Sequence, residues 1–441
     1  MKYFRGFSSS QTIIIGFASV ILLGSLLLML PVSAEGAGPA PFSDALFTAV
    51  SAVCVTGLVV RDTATGWSLF GQAVILALIQ IGGMGVITVS VAVIRFSGRK
   101  IGIRQKSLMQ ESVSAHEIGG ILNLTGMILK GTAAAELLGA VLMIPVFAGQ
   151  FGFFKGIWYG VFHSVSAFCN AGFDLMGIRE PFSSLTSFSG HPLINLVIMG
   201  LIIVGGIGFL TWEDVRRHRF RIRKYRMQSR LILAMAGFLI ALPAIYFFFF
   251  EYQGEPFGRR IFMSLFQSVT TRTAGFNTAN LTKLSDDGQL VMILLMLVGG
   301  APGSTAGGMK TTTFAVMLAT ALSVMRKGEE TSILRRRIDD ETVRTAAALF
   351  TVYIFSFMIG GMIISNAENL PLLTCLFETA SAIGTVGLSL GITGQLGMLS
   401  RTILILLMFW GRVGGLTLIY AALAVKEPPL YRLPKEKLMV G

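Results

Sequence analysis

The sequence predicts an all-α integral membrane protein built from four tandem, pseudo-symmetric helix–pore-helix–helix units around one central pore. Eight spanning helices and four re-entrant pore loops are expected. Three observations carry this: charge-free apolar runs along the whole chain, a glycine-bearing segment in four copies, and basic residues confined to alternate connections.

The 441 residues are 53% hydrophobic and only 13% charged, about half the charged share of a soluble protein. Apolar runs of about 20 residues, enough to cross roughly 30 Å of hydrocarbon, recur throughout. The net charge of +13 is not spread evenly. It sits in Lys2 and Arg5, Arg95 to Lys106, "RRHRFRIRKYR" at 216–226, Arg326 to Arg344, and Lys426 to Lys437. These clusters alternate with poorly charged connections, the positive-inside pattern of a multi-pass plasma-membrane protein with both termini cytoplasmic. That distribution argues against nucleic acid as a partner. It leaves membrane lipid, and for 216–226 either anionic lipid or a cytosolic partner.

Cys54, Cys169 and Cys375 offer no disulfide framework and no metal spacing. The histidines (His116, His163, His191, His218) are scattered and no HExxH is present. No catalytic residue and no covalent cofactor is expected. The start, "MKYFRGF" followed by an apolar run from Ile13 to Leu30, imitates a cleavable signal peptide, but cleavage would remove a helix from the first unit.

The repeat is read directly from "FTAVSAVCVTGL" at 47–58, "FHSVSAFCNAGF" at 162–173, "LFQSVTTRTAGF" at 265–276 and "FETASAIGTVGL" at 377–388. Aligned without gaps, all share a glycine, at 57, 172, 275 and 387, spaced by 115, 103 and 112 residues. A recurring period of this kind marks a repeated structural unit. The units are 1–100, 101–226, 227–338 and 339–441.

In each, a long apolar segment comes first, at about 11–30, 120–148, 230–250 and 343–365. A short amphipathic segment leads into the glycine, and a second apolar segment follows, at 69–94, 191–213, 289–325 and 398–425. The short segments cannot span, and both their flanks lie on the charge-poor side, so they dip in and return. The second apolar segments share a mark: "GGMG" at 82, "GGIG" at 205, "GGAP" at 299 and "GRVG" at 411. Because all four units begin and end on the same side, the repeat wraps an axis along the membrane normal. That differs from the inverted halves of alternating-access transporters.

Non-helical backbone at membrane depth is tolerated only against protein or a water-filled cavity. Four such segments around one axis aim backbone carbonyls at a common line, where they can replace the hydration shell of an alkali cation. Glycine supplies the positive φ that turns consecutive carbonyls the same way.

"TVG" at 385–387 is similar to the opening of the potassium-channel filter signature, with degenerate partners "VTG" at 55–57, "NAG" at 170–172 and "TAG" at 273–275. Four unequal filter units in one chain resemble the Trk/Ktr/HKT superfamily of cation transporters over essentially the whole length. Eight spans with almost no amino-terminal extension are most similar to its KtrB branch, the membrane subunits of bacterial Ktr potassium uptake systems. The resemblance implies potassium as substrate, bound only at a filter. Its lining would be the backbone of Val55, Thr56, Gly57, Asn170, Ala171, Gly172, Thr273, Ala274, Gly275, Thr385, Val386 and Gly387. In the plant HKT branch a serine at the first filter glycine accompanies sodium selectivity, so Gly57 favours potassium. The resemblance also implies a homodimer, a cytosolic ring of KtrA- or KtrC-like nucleotide-binding regulatory subunits, and sodium as an activator. A sodium-permeable or secondary-active cation transporter of the same superfamily is the alternative.

Two features suggest a gate. "GGAPGSTAGGMKTTT" at 299–313 carries too many glycines, and a proline, to continue a regular helix. Its core, Gly303, Ser304, Thr305, Ala306, Gly307 and Gly308, is expected as a loop in the pathway, with Lys310 adding positive charge or reaching toward lipid headgroups. The resemblance agrees, since Ktr and Trk proteins carry an obstructing intramembrane loop here. Arg412, mid-helix in "MFWGRVGGLTLIY", costs roughly 2.5–3.5 kcal/mol at a helix centre and so faces the bundle interior. It is expected either in a structural ion pair or as a barrier below the filter, the place an arginine holds in the family.

His163 and Glu378 share one repeat position, with Thr48 and Phe266 in the other copies, and are expected as polar braces behind the filter. Cys54 and Cys169 are repeat-equivalent packing residues. Asp62 and Asp174 lie just past two filters, as mouth acids or ordinary loop acids. An intramembrane protease using "GST" at 303–305 would need a histidine paired with Ser304, and none is. A membrane anchor without conduction needs no filter glycines.

Overall fold

The structure is a computed structural model that describes residues 8–36, 38–96, 107–110, 121–328, 330–415, 417–418 and 436. The basic clusters at 2–5, 97–106 and 426–435, His116 and both termini lie outside the described residues.

Among the described residues, four long helices are apolar enough to cross a membrane: Ser9–Leu28, Asn123–Phe151, Met227–Glu251 and Asp340–Glu368. The first begins with a capping box in which Ser8 and Gln11 satisfy each other's backbone N–H at 3.2 and 3.0 Å. Less than a third or so of each apolar window is buried, so most of its leucine and phenylalanine surface faces outward. That suits hydrocarbon and would be an aggregation hazard in water.

Four short helices follow them: Phe42–Val53, Phe153–Phe168, Phe257–Thr270 and Leu372–Gly384. Pro41, Pro256 and Pro371 start three of these, placed where the missing N–H costs nothing. Nearly every residue in the second half of each is buried.

All four second apolar segments are broken at the shared glycine mark, where only the third was expected to be. The first runs Leu69–Met84, breaks at Gly85 (φ 84°) and resumes as Val86–Phe96. The second runs Pro192–Gly206, then turns 98° into Phe209–His218 through Gly208 (φ 89°). The third stops at Leu297 and resumes only at Thr311–Met325. The fourth, Met398–Val413, breaks at Gly414 (φ 93°). A positive φ reverses the chain direction that an α-helix needs, and glycine alone adopts it without a Cβ penalty. Hence, among the described residues, four helices qualify as continuous spans, or five if the bent pair counts as one.

Within each unit, the long helix packs on its short helix. Between units, each inner helix packs behind the short helix of the next. Leu69–Met84 meets Phe153–Phe168, Pro192–Gly206 meets Phe257–Thr270, and Asp286–Leu297 meets Leu372–Gly384. Met398–Val413 then returns to Phe42–Val53, closing a ring in chain order. Arg401 to Asp44, at 2.9 Å, ties the fourth unit to the first at the same seam.

Candidate functional site

Each short helix ends in the same backbone device. Val55, Asn170, Thr273 and Thr385 are left-handed, with φ of 49°, 57°, 63° and 51°. Two residues on, Gly57, Gly172, Gly275 and Gly387 have φ of 93°, 70°, 82° and 92°. Alternating positive and negative φ flips successive peptide planes, so consecutive carbonyls project to one side. Glycine was expected to do this alone, yet a non-glycine residue shares the task in all four copies, including the β-branched Val55. Such residues are strained by about 1–3 kcal/mol and persist only where the surroundings over-determine them.

The surroundings are the other units. A Cβ on Gly57 would meet the Ala171 carbonyl oxygen at 2.5 Å, and one on Gly172 the Ala274 oxygen at 2.8 Å. On Gly275 it would meet the Val386 oxygen at 2.4 Å, and on Gly387 the Thr56 oxygen at 2.1 Å. Each glycine therefore sits against the middle residue of the next triplet, and the fourth against the first. The four triplets thus close one ring through their glycines and middle residues. All four glycines also line a cavity of about 440 Å³ on the side facing the 58–63, 173–184 and 388–395 connections.

Hydroxyls one helical turn back hold the triplets. Ser51 and Ser381 accept from the Gly57 and Gly387 N–H groups at 3.1 and 3.0 Å. Ser166 donates to the Phe173 carbonyl at 2.7 Å, and Thr270 likewise to Phe276. Thr270 stands five residues before its glycine, where the serines stand six before theirs. The third copy is one residue shorter between hydroxyl and glycine, which an ungapped alignment hides. Corrected for this, Phe266 matches the buried Phe47, Phe162 and Phe377, and Gln267, not Phe266, is the counterpart of His163 and Glu378.

Those two side chains hold the strand that leaves the ring. His163 Nε2 accepts from Leu175 N–H at 3.3 Å while Nδ1 donates to the Tyr159 carbonyl at 2.7 Å. Glu378 accepts from Ser389, from Leu390 N–H at 3.2 Å and from Thr393 at 2.9 Å. Asp62 caps the turn at Thr63 and accepts from Phe182 N–H at 2.9 Å, joining units one and two above the ring. Asp174 accepts from Met176 N–H at 2.9 Å and lines the same cavity. Burial, with the Asp62 carboxylate nearby, raises its carboxyl to about 7.

On the opposite side of the ring, residues 298–310 form a loop bound to two other units, the second and the fourth. Phe209 N–H donates to Gly303 O at 2.7 Å, Ala301 N–H to Gly206 O at 2.9 Å, and Gly308 N–H to Gly411 O at 3.1 Å. Thr305 Oγ1 donates to the Phe168 carbonyl at 3.1 Å and to Asn170 Oδ1 at 3.0 Å, touching the ring itself. Arg412 donates to the carbonyls of Thr305 and Gly82, and to Gly83 at 3.1 Å. It thereby clamps the loop between units one and four, and among the described residues it makes no ion pair. Lys310 Nζ donates to the Ala306 carbonyl at 2.9 Å, closing the loop on itself rather than reaching outward. Both cations line a cavity of about 200 Å³ below the loop, together with Phe17 and Phe209. Ser304 donates to Ala301 O at 2.7 Å, so it and His163 serve separate partners.

Two polar groups were missed. Arg272, three residues before Gly275 and 7% exposed, donates to the Leu295 carbonyl at 2.7 Å. Its charge inside a pore repeat was visible. Glu136, within the second long helix, accepts from Gln80 at 3.3 Å, and Cys169 Sγ lies 3.6 Å from the Gln80 side chain and 3.9 Å from that of Glu136. A lone acid in an apolar run was the available signal. Cys54 and Cys169 are fully buried packing residues.

A profile of the TrkH family, described as cation transport protein, matches residues 4–250 and 253–429. The Ktr system potassium uptake protein B of Bacillus subtilis is 37% identical, covering 100% of this chain and 98% of its own. The potassium/sodium uptake protein NtpJ of Enterococcus hirae is 36% identical over 98% and 97%. The crystal structure of the potassium transporter TrkH from Vibrio parahaemolyticus has the same fold, with a TM-score of 0.73 and 18% identity over 96% of this chain and 87% of that one. A ring of four glycine triplets on a fourfold helical repeat thus coincides with matches along the whole chain, and the protein belongs to the TrkH family of cation transport proteins.

Proposed function

We propose that this chain takes up potassium across the plasma membrane through one channel-like pore. The observation that carries the reading is the closed ring of Gly57, Gly172, Gly275 and Gly387, each packed on the next unit's carbonyl. Carbonyls of the four triplets act as the selectivity filter, replacing water around a dehydrated cation. The outer cavity, with Asp62 and Asp174, is its mouth.

Residues 303–308 with Arg412 form the gate: the loop lies directly beneath the ring, and two cations border the cavity below it. Each second apolar segment makes one crossing, the second with helix Phe209–His218 turned aside at its end, giving eight spans in units 1–100, 101–226, 227–338 and 339–441. Both termini lie in the cytoplasm. The names of the Bacillus subtilis and Enterococcus hirae relatives support potassium as substrate. The first also supports a multi-subunit system. In it, this chain works as a homodimer on a KtrA- or KtrC-like nucleotide-binding ring, with sodium as activator. The potassium/sodium name of the second keeps sodium permeation as the alternative.

The test is rubidium-tracer flux into potassium-loaded proteoliposomes holding this chain alone, with sodium as competitor. Uptake blocked by external potassium and barely by sodium is expected, either from the wild type or once residues 303–308 are deleted. Equal block by sodium favours the alternative, and silence from both proteins overturns the pore.

A further inference from the structure

The segment 216–226 is used by nothing described above, although it is the most basic stretch of the chain. Helix Phe209–His218 does not continue down the bundle, because it is turned 98° from the inner helix before it. Its far end is pinned at the start of the next spanning helix. Asp214 accepts from the N–H of Arg226, the residue that precedes Met227, at 3.0 Å, and Arg226 pairs with Glu213 at 2.7 Å and Asp214 at 3.7 Å. A helix that leaves one span sideways and ends where the next begins runs across the bundle rather than along it.

Those two pairs also engage Glu213 and Asp214, the acids of this helix. Arg216, Arg217, Arg219, Arg221, Arg223 and Lys224 are all exposed, and among the described residues none of them makes an ion pair. The tip is built rather than loose. Arg219 takes a left-handed conformation (φ 49°), its carbonyl accepts from the buried Tyr225 hydroxyl, and the Tyr225 ring packs on His218 at 6.4 Å. This turn presents Phe220, 99% exposed, between Arg219 and Arg221, with Ile222 (55%) and Val215 (42%) also uncovered.

We propose that the in-plane helix 209–218 and the turn 219–225 form a docking surface for anionic phospholipid headgroups of the cytoplasmic leaflet. The chemistry matches on two counts. Unpaired arginines attract anionic headgroups, an attraction that fades within a Debye length of the surface. A bare phenylalanine and isoleucine among them suit the headgroup–acyl boundary, as in interfacial amphipathic helices. An acidic cytosolic protein matches the charge but not the placement, since the helix starts beside the 298–310 loop and its far end is tied to the start of the next spanning helix. The inference rests on the orientation proposed for the spans and not on the filter.

The test places an environment-sensitive probe at Phe220→Cys in the full chain, whose three native cysteines are fully buried. The protein is reconstituted in phosphatidylcholine vesicles with or without phosphatidylglycerol, alongside a control probe at Met325→Cys. With phosphatidylglycerol, the residue 220 probe should blue-shift, lose its quenching by aqueous iodide and gain quenching by a headgroup-proximal nitroxide lipid. Molar salt should reverse this, and the Met325 probe should not respond. In R216Q/R217Q/R219Q the response should require about tenfold or more additional anionic lipid. Rubidium flux reports separately whether the pore is intact. Identical iodide quenching in both vesicle types overturns the proposal. So does shielding that appears only on adding an acidic cytosolic protein, which would assign the surface to that partner.

Discussion

The glycine ring and the loop beneath it are both irregular backbone inside the helix bundle, held in opposite ways. The ring is backbone against backbone: each glycine abuts a carbonyl of the next unit, and strained residues such as Val55 persist because four helices fix their ends. Nothing in it can move without displacing a neighbour. The loop at 298–310 is held by discrete hydrogen bonds to two other units, some of them made by side chains. Such bonds break and reform singly. The difference separates a region suited to fixed geometry from one suited to release, which is the division a selective, gated pore needs.

The strongest attack on this comparison is in the ring. Gly387→Ser adds a Cβ 2.1 Å from the Thr56 carbonyl, whereas Gly172→Ser meets Ala274 at 2.8 Å. Forcing a side chain into that backbone costs about 1–3 kcal/mol. Gly387→Ser should therefore lower potassium-over-sodium discrimination about ten- to hundredfold, and Gly172→Ser less, in competition flux on well-expressed protein. Equal, unchanged discrimination in both would remove the ring from selectivity.

Next comes the clamp. Arg412→Ala deletes three bonds from a charged donor, each contributing about 1.5–3 kcal/mol. Flux through the chain alone should rise about tenfold or more, with selectivity kept. A rise accompanied by lost selectivity would mean that ring and loop are one unit.

Thr305→Val probes their contact, removing two neutral hydrogen bonds to Phe168 and Asn170 without changing shape. A rise in flux of about threefold is expected; a larger change in ion preference than in flux would place Thr305 with the ring.

The smallest effect is at the mouth. With burial raising its carboxyl to about 7, Asp174 should shift from mostly protonated toward mostly ionised between pH 6 and pH 8. Raising external pH across this range should increase rubidium uptake at low concentration by about twofold. Asp174→Asn should flatten the profile, and an unchanged slope would assign it to another group.

Much of this was legible beforehand. The four glycines, their period and the polar positions at 163 and 378 are local patterns, and a one-dimensional repeat survives in sequence because each unit meets the same packing problem. What escaped was length and reach. The one-residue deletion between Thr270 and Gly275 mislabelled Phe266, since only a hydroxyl's partner reveals register. Breaks in the first, second and fourth inner helices hid behind apolar flanks that read as continuous spans.

Apolar length, charge placement and the fourfold glycine repeat determined, by themselves, a membrane protein of four like units, because those are properties of each segment against its solvent. Only the tertiary structure decided that the triplets close head to tail, that Val55 is left-handed, and that Arg412 binds carbonyls rather than an acid. Each of these depends on atoms about a hundred or more residues away in the chain, and backbone carbonyls, the partners in nearly every case, look alike in every sequence.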